Sequence, residues 1–452
     1  MRFFNTAGPC DEARHYMVPP EPRLPEAPRI IAQGGYFVVH APRQTGKTTT
    51  LRAIAKSITA TGAYAALHFS GEAAEPMGDD YAAAQRTVLT SIATKASLNL
   101  PEELRPPPWP DADDGSLLIS GLSAWAQACP RPLVLFFDEI DALRGESLRS
   151  VLRQLRAGYP DRPGAFPWSV ALCGLRDVRD YKAASGGDPN RLGTSSPFNI
   201  KIDSLRLGNF TEEDVRALYG EHTKETGQLF EDDTIRRAYD VTRGQPWLVN
   251  ALGREIIEKM GVAPPQPISV AHVDEAKERL ILARATHLDS LVARLAEPRV
   301  RRIIEPIMAG DLLTGDSYND DLAYLRDLGL IAMENPVRIA NSMYQEVVAR
   351  VLSASVESNV VAEPRSFILP DGQLDFPRLL REFAAFWIEH GEVLTEGMPY
   401  HEVAPQLVLM AYLQRIVNGG GYVDREYGIG RGRIDLCVRF PCVDEHGKRV
   451  WQ

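Results

Sequence analysis

Residues 35–50 read GYFVVHAPRQTGKTTT, and this stretch decides the fold of the chain. Residues 36–39 are aromatic or β-branched, which favours a short buried strand. A polar turn follows at residues 41–45, and small and apolar residues between Leu51 and Ile58 then recur at helical spacing. The pattern predicts strand, loop and helix in that order, which is the context of a phosphate-binding loop.

The residue types in the loop suit the binding of a nucleoside triphosphate. Gly46 allows the backbone to approach a phosphate, and the free N–H groups at the helix start favour an anion. Lys47 is predicted to reach the β- and γ-phosphates, and the Thr48 hydroxyl to bind Mg²⁺. We therefore expect ATP and Mg²⁺ as ligands. The predicted contacts of the nucleotide in this loop are Ala41, Pro42, Arg43, Gln44, Thr45, Gly46, Lys47, Thr48 and Thr49.

One position of the loop departs from the usual pattern, because Ala41 stands where the first Gly is expected. This position lies at the strand end, so a small residue is expected to suffice there. The alternative interpretation is an ordinary strand–turn–helix in which a Thr caps the helix.

A second informative stretch, PLVLFFDEID, covers residues 132–141. A continuously apolar run of this length fits a central parallel strand that is buried on both faces. Two carboxylates follow at its carboxyl end, where open α/β sheets bind ligands. Asp138 is predicted to hold the Mg²⁺ shell and Glu139 to polarise the attacking water. A solvated acidic turn is the alternative.

A further buried strand is predicted at residues 168–173, and a polar residue at such a strand end commonly senses the γ-phosphate. Arg176 and Arg179 are candidates for that role, or for an arginine finger directed at a neighbouring subunit. Surface Arg–Asp pairs of little energetic value are the alternative. We take Arg176 as a candidate catalytic residue.

Composition places the chain among globular proteins. It has 452 residues and a formal net charge of −10, which argues against DNA binding along the whole surface but leaves room for a basic patch. Its five cysteines include no Cys-x-x-Cys pair, which argues for a reducing cytoplasm and against a zinc site. No apolar run is long enough to span a bilayer, and no signal region stands at the N-terminus.

The second half of the chain has helical patterns. Within it, RGQPW at residues 243–247 ends one helix and starts the next, and it places Pro246 where a helical lid could cover a nucleotide. Helices followed by two short strands near residues 330–340 suggest a winged-helix-like module. DNA could bind there through Arg299, Arg301 and Arg302, but nearby aspartates weaken that interpretation, and a packing module is the alternative.

Near the C-terminus, residues 422–438 predict a strand, a Gly-rich turn and a second strand that carries Asp435. An Asp on that strand, with a Glu on the preceding helix, begins a metal-dependent nuclease core. Such a core normally adds a Glu-x-Lys on the next strand. Residues 449–452 begin that strand and the chain stops, so we expect a nuclease-like domain that is cut inside its sheet.

Three blocks together, HAPRQTGKT, FFDEID and RGQPW, resemble the AAA-like P-loop ATPases of the signalling (STAND) type over residues 30–352. DEID, at residues 138–141, is also similar to origin-recognition ATPases. GRGRIDL at residues 430–436 resembles PD-(D/E)xK nuclease-like domains. That last resemblance implies that Asp435 binds a metal and that Glu402 is the helix Glu.

The expected fold is an α/β P-loop NTPase core with a parallel sheet, followed by a helical lid, a winged-helix-like module and an incomplete α/β nuclease-like domain. The expected function is a Mg²⁺-dependent ATPase that acts as a molecular switch for its C-terminal modules. A non-hydrolysing nucleotide-dependent scaffold and a DNA-processing protein whose ATPase gates the nuclease remain alternatives. A homo-oligomer or a partner protein is possible in each case. The predicted boundaries are 1–30 for an extended N-terminal segment, 31–205 for the core, 206–290 for the lid, 291–355 for the winged-helix-like module and 373–452 for the nuclease-like domain.

Overall fold

The computed structural model describes residues 2–175, 200–309, 319–357, 367–370, 372–395, 409, 412–413, 422–429, 432–443 and 449–452. Its first half contains a five-stranded parallel sheet in the order β2-β3-β4-β1-β5. The strands are β1 Tyr36–His40, β2 Ala65–Ser70, β3 Leu133–Asp138, β4 Ser169–Gly174 and β5 Lys201–Arg206. The helices of this half are α1 Ala27–Ala32, α2 Lys47–Ala60, α3 Tyr81–Asn99, α4 Leu117–Ala128 and α5 Gly145–Gly158.

Both faces of this sheet are buried, which explains why its central strands are continuously apolar. All six residues of β3 are buried, and alternate residues belong to opposite faces. Leu135 and Phe137 lie in one hydrophobic cluster, whereas Val134 and Phe136 lie in the other.

The register of the strands places the carboxyl ends of β1 and β3 at the same edge of the sheet. Val39 of β1 is paired with Cys173 of β4, and Phe137 of β3 is paired with Leu172 of β4. The segments that follow β1 and β3 therefore emerge beside each other, separated by one strand.

The second half is mostly helical, and its buried side chains share one cluster with Phe4 and Tyr16 of the N-terminal segment. The helices are α6 Glu212–Thr226, α7 Asp232–Thr242, α8 Pro246–Arg254, α9 Val270–Leu282, α10 Thr286–Leu295, α11 Pro298–Ala309, α12 Asp320–Leu328, α13 Ser342–Glu357 and α14 Phe376–Thr395.

Two local features differ from the helical and strand patterns read in the sequence. The helical pattern of the second half is continuous over residues 272–296, but the structure interrupts it between α9 and α10, where Arg284 has a φ of 46°. The two short strands predicted near residue 335 form one antiparallel bridge, between Ile331 and Ile339. The intervening turn contains the cis peptide Asn335–Pro336.

The C-terminal residues form two antiparallel pairs. Strands β6 Tyr422–Ile429 and β7 Gly432–Arg439 make the predicted hairpin, and Asp435 lies on β7. Strands β8 Pro441–Val443 and β9 Arg449–Trp451 make the other pair. Glu402 lies outside the described residues. Within the described ranges, no helix combines the length and the apolar character needed to cross a membrane.

Candidate functional site

The loop between β1 and α2 has the backbone geometry of an anion cradle. Gly46 has a φ of 89°, a backbone conformation that residues other than glycine rarely adopt. A Cβ at this position would lie 2.9 Å from Nη1 of Arg23. Gln44 also has a positive φ, of 60°. Thr45 is buried and its hydroxyl donates to the Pro42 carbonyl oxygen at 2.9 Å. The loop is thus closed upon itself at the start of α2.

Lys47 is buried at the first position of α2, with 8% of its surface exposed. Its Nζ donates to the carbonyl oxygens of Ala41 at 2.9 Å and Pro42 at 3.0 Å. An ammonium has three N–H donors, so one remains for a phosphate oxygen. The loop therefore holds its only buried cation at the anion cradle; Arg43 in the same loop is exposed.

Ala41 shows why glycine is not required at the first position of the motif. It is fully buried, and its N–H extends the strand pairing of β1 by donating to the Gly174 carbonyl oxygen at 3.4 Å. Because this position continues the strand, it does not need the conformational freedom of glycine.

Asp138 ends β3 directly opposite the loop. Thr48 Oγ1 donates to Asp138 Oδ2 at 2.7 Å, and His68 Nε2 donates to the same oxygen at 3.0 Å. Burial alone would raise the pKa of Asp138, but the hydrogen bonds from His68 and Thr48 outweigh it, and the pKa lies below its usual value. The carboxylate is therefore ionised at neutral pH, as a ligand of Mg²⁺ must be.

Glu139 follows immediately and has a φ of 52°. Burial and the nearby Asp141 carboxylate raise the pKa of Glu139, and this effect exceeds the opposing influence of Lys47. A carboxylate with a raised pKa is a better general base than an ordinary one. The two neighbouring carboxylates thus differ, because the pKa of Asp138 is lowered and that of Glu139 is raised.

Arg23 was not anticipated as a site residue, although it contacts the loop. Its Nη1 donates to the Thr45 carbonyl oxygen at 2.9 Å, and its Nη2 donates to the Gly208 carbonyl oxygen at 2.6 Å. The guanidinium also lies 4.8 Å from the centre of the Phe210 ring. Burial lowers the pKa of Arg23 to about 10, so it remains charged at neutral pH. No local sequence pattern distinguishes this arginine from the others in the chain.

A cavity adjoins the loop, between the N-terminal segment, α2 and the helices that follow the sheet. Cys10 N–H donates to Thr49 Oγ1 at 3.0 Å, and Trp247 Nε1 donates to the Thr6 carbonyl oxygen at 2.8 Å. These bonds tie the N-terminal segment to both walls. The residues that line the cavity include Tyr16, Val18, Arg23, Gly46, Thr49, Pro246 and Trp247.

In the RGQPW junction, the backbone of Gly244 packs directly against the backbone of Phe210. Gly244 has a φ of 67°, and its carbonyl oxygen accepts from Phe210 N–H at 2.8 Å. A Cβ on Gly244 would stand only 1.8 Å from the Phe210 carbonyl oxygen. Gln245 then caps α8 and its Nε2 lies 3.5 Å from the Gln44 carbonyl oxygen, so the junction contacts the loop.

The C-terminal half also contacts the loop. Gly329, which caps α12, is so close to Pro42 that a Cβ on it would lie 2.6 Å from the proline ring. Beside it, Asp327 lies 3.6 Å from His40, and Arg206 donates to the Arg326 carbonyl oxygen at 3.1 Å. We call this set of contacts the α12 contact.

The remaining arginines proposed for function are placed as follows. Arg176 and Arg179 lie outside the described residues. Arg299 and Arg302 are paired with Asp321, and Arg301 is paired with Glu305. These carboxylates neutralise much of the charge that DNA binding at α11 would need. The side chain of Asp435 also lies outside the described part of the structure.

A parallel sheet with a phosphate loop after one strand and an acidic pair after another defines the P-loop NTPase fold. Residues 27–163 match the family model of the AAA ATPase domain. This match includes the loop, α2, β3 and both carboxylates.

Three solved structures each align with more than two thirds of the chain. The Walker-type ATPase of Pyrococcus abyssi has 13% sequence identity and a TM-score of 0.53, over 76% of this chain and 99% of that one. The ORC2 protein of Aeropyrum pernix has 14% identity and a TM-score of 0.40, over 73% and 91% of the two chains. The RuvB Holliday junction branch migration motor of Thermotoga maritima has 15% identity and a TM-score of 0.39, over 71% and 90%. No curated protein matches the sequence.

Proposed function

We propose that this protein binds and hydrolyses ATP in a Mg²⁺-dependent manner, and that the nucleotide controls the arrangement of its C-terminal modules. The observation that carries the proposal is the pairing of Thr48 with Asp138 at 2.7 Å, directly beside the buried Lys47. This arrangement brings a glycine-containing loop, a buried cation and an ionised carboxylate to one edge of the sheet, which supports the proposal.

The oxygen atoms of Thr48 and Asp138 fit Mg²⁺, which prefers hydroxyl and carboxylate ligands. Thr48 and Asp138 would hold Mg²⁺, which would supply the positive charge that neutralises negative charge developing on the phosphates. Lys47 holds the same phosphates from the loop side. Glu139 orients and deprotonates the attacking water, for which its raised pKa is suited.

Two substitutions test these roles separately. Lys47→Ala is expected to abolish ATP binding, because charge-assisted contacts of about 1.5–3 kcal/mol each are lost. Lys56→Ala is the matched control, since Lys56 is an exposed lysine on the same helix. Glu139→Gln is expected to retain ATP and to stop turnover. Unchanged hydrolysis by Glu139→Gln would refute the assignment of the base.

The α12 contact supports the switching part of the proposal. It places the end of α12 and Gly329 against Pro42, a residue of the phosphate loop itself. A loop that moves to accept a triphosphate must alter this contact. Hydrogen exchange of α12 with and without ATP and Mg²⁺ tests the coupling, and identical protection in both states would contradict it.

The alternatives are distinguished by activity. A scaffold that binds ATP without hydrolysing it would show affinity and no steady-state release of phosphate. A nuclease gated by the ATPase rests on the sequence pattern around Asp435. Mg²⁺-dependent DNA cleavage by a chain that includes a Glu-x-Lys strand, and its loss in Asp435→Ala, would support that alternative.

A further inference from the structure

We propose that Asn250 selects the base of the nucleotide, by accepting a hydrogen bond from the 6-amino group of adenine. This inference rests on the proposed function, because it takes the cavity beside the phosphate loop as the site of the base. It adds a determinant of base specificity that the phosphate loop cannot supply, since every nucleoside triphosphate carries the same phosphates.

The first observation is an unsatisfied acceptor. Asn250 lies on α8, lines the cavity and has only 6% of its surface exposed. Its Oδ1 is buried and has no hydrogen-bond partner among the described residues. A buried polar atom without a partner is costly, and most such atoms in native proteins are satisfied by protein, water or a ligand.

The orientation of this amide is fixed by the helix. Asn250 Nδ2 donates to the carbonyl oxygen of Pro246, one turn earlier, at 2.8 Å. A carbonyl oxygen only accepts hydrogen bonds, so the nitrogen must face it. The other end of the amide is therefore an acceptor that is directed away from the helix backbone.

A second unsatisfied group lines the same cavity. Thr50 is fully buried on α2, and its Oγ1 also has no partner within the described part of the chain. A hydroxyl can donate as well as accept. The cavity thus offers one acceptor, from Asn250, and one potential donor, from Thr50.

This pair of groups matches adenine. The Watson–Crick and Hoogsteen edges of adenine each present the 6-amino donor beside a ring nitrogen that accepts. Guanine presents an oxygen at position 6, which would face Oδ1 of Asn250 with two acceptors in contact. The remaining lining includes Val18, Leu218 and Trp247, which suit the apolar faces of a purine.

The test compares three triphosphates that differ at position 6, in the full chain with Mg²⁺. ATP carries an amino group there, purine riboside triphosphate carries hydrogen, and inosine triphosphate carries oxygen. We expect ATP to bind about tenfold more tightly than purine riboside triphosphate, which is the value of one hydrogen bond to a buried acceptor. Inosine triphosphate is expected to bind more weakly still.

Two variants assign the effect to its residue. Asn250→Ala is expected to reduce the preference for ATP over purine riboside triphosphate to less than about twofold. Thr50→Val, which keeps the shape of the side chain, is expected to weaken both ligands to the same extent and to keep the preference. A purely structural role of Asn250 would weaken both ligands alike, so the ratio separates the two roles.

The outcomes also distinguish this inference from the proposed function. Lys47-dependent binding of all three triphosphates with equal affinity would overturn the role of Asn250 and leave the proposed function intact. A full preference for ATP in Asn250→Ala would overturn it as well. Binding that does not depend on Lys47, or no binding at all, would refute both. If Asn250→Ala does not fold, the comparison in the unmodified protein still tests the inference, because equal affinities there would overturn it.

Discussion

Replacing Gly244 with alanine is expected to disconnect the helices that follow the sheet from the phosphate loop. Any residue other than glycine pays about 1–2 kcal/mol for the left-handed conformation at this position. The new Cβ would also stand 1.8 Å from the Phe210 carbonyl oxygen, so the two backbone segments must separate. Their hydrogen bond of 2.8 Å would be lost, at about 1–3 kcal/mol for buried groups. The total destabilisation is therefore about 2–5 kcal/mol.

Gly227 provides the matched control. It also follows a helix and has a φ of 74°, but no atom lies within 4 Å of the position of an added Cβ. Gly227→Ala should therefore show only the conformational cost of about 1–2 kcal/mol. The difference between the two variants isolates the contact with Phe210.

The assay compares the urea midpoints of the two variants with that of the unmodified protein. A chain of this size need not unfold in one transition, so the transition reported by tryptophan fluorescence is followed in each case. ATP affinity is measured in parallel, and only Gly244→Ala should weaken it, because Gln245 and Pro246 are displaced with the backbone. Equal midpoints for Gly244→Ala and Gly227→Ala would refute the reasoning.

Three further predictions concern the site and the α12 contact. Because the pKa of Glu139 is raised and hydrolysis needs its ionised form, the rate at saturating ATP should begin to fall at a pH above the ordinary glutamate pKa of 4.5. Asp141→Asn removes a charge that raises this pKa, so the acidic limb of the pH–rate profile should move to lower pH. An unmoved limb would contradict the assignment of Glu139 as the base. His68→Phe removes a hydrogen bond that favours the ionised form of Asp138, so a Mg²⁺ titration of ATP hydrolysis should show about a 10–100-fold weaker apparent affinity for the metal. Asp327→Ala removes the carboxylate of the α12 contact, so backbone hydrogen exchange in α12 should become faster in the absence of nucleotide. Unaltered protection would show that this carboxylate does not hold α12 in place.

The strands and helices of the sheet domain were predictable because each is specified by the pattern of its own residues. The strand predicted from the apolar run within residues 132–141 is found as Leu133–Asp138, and the helix predicted after the phosphate-binding loop is found as Lys47–Ala60. A buried parallel strand needs an apolar run, and an amphipathic helix needs a periodic one, so each element can be recognised from its own residues.

The surroundings of the loop were not predictable in the same way. Arg23 and Gly208 are 185 residues apart in sequence, and the pattern around neither residue encodes their hydrogen bond. The break at Arg284 was missed because the apolar spacing of α9 continues into α10. Tyr16 and Val18 belong to the N-terminal segment, for which the sequence predicts only an extended chain. Both line the cavity, but only tertiary packing could place them there.

The walls of the cavity have a practical consequence for any attempt to isolate the ATPase domain. The family match begins at residue 27 and ends at residue 163, so a fragment cut at these limits would keep Lys47 and Asp138. It would lack the cavity-lining residues Tyr16, from the N-terminal segment, and Pro246 and Asn250, from α8, so the cavity would be open to solvent. Such a fragment would also lack β4, the strand that lies between β1 and β3, so Lys47 and Asp138 would no longer be held together at one edge of the sheet. Its nucleotide preference would then report on the truncation and not on the protein.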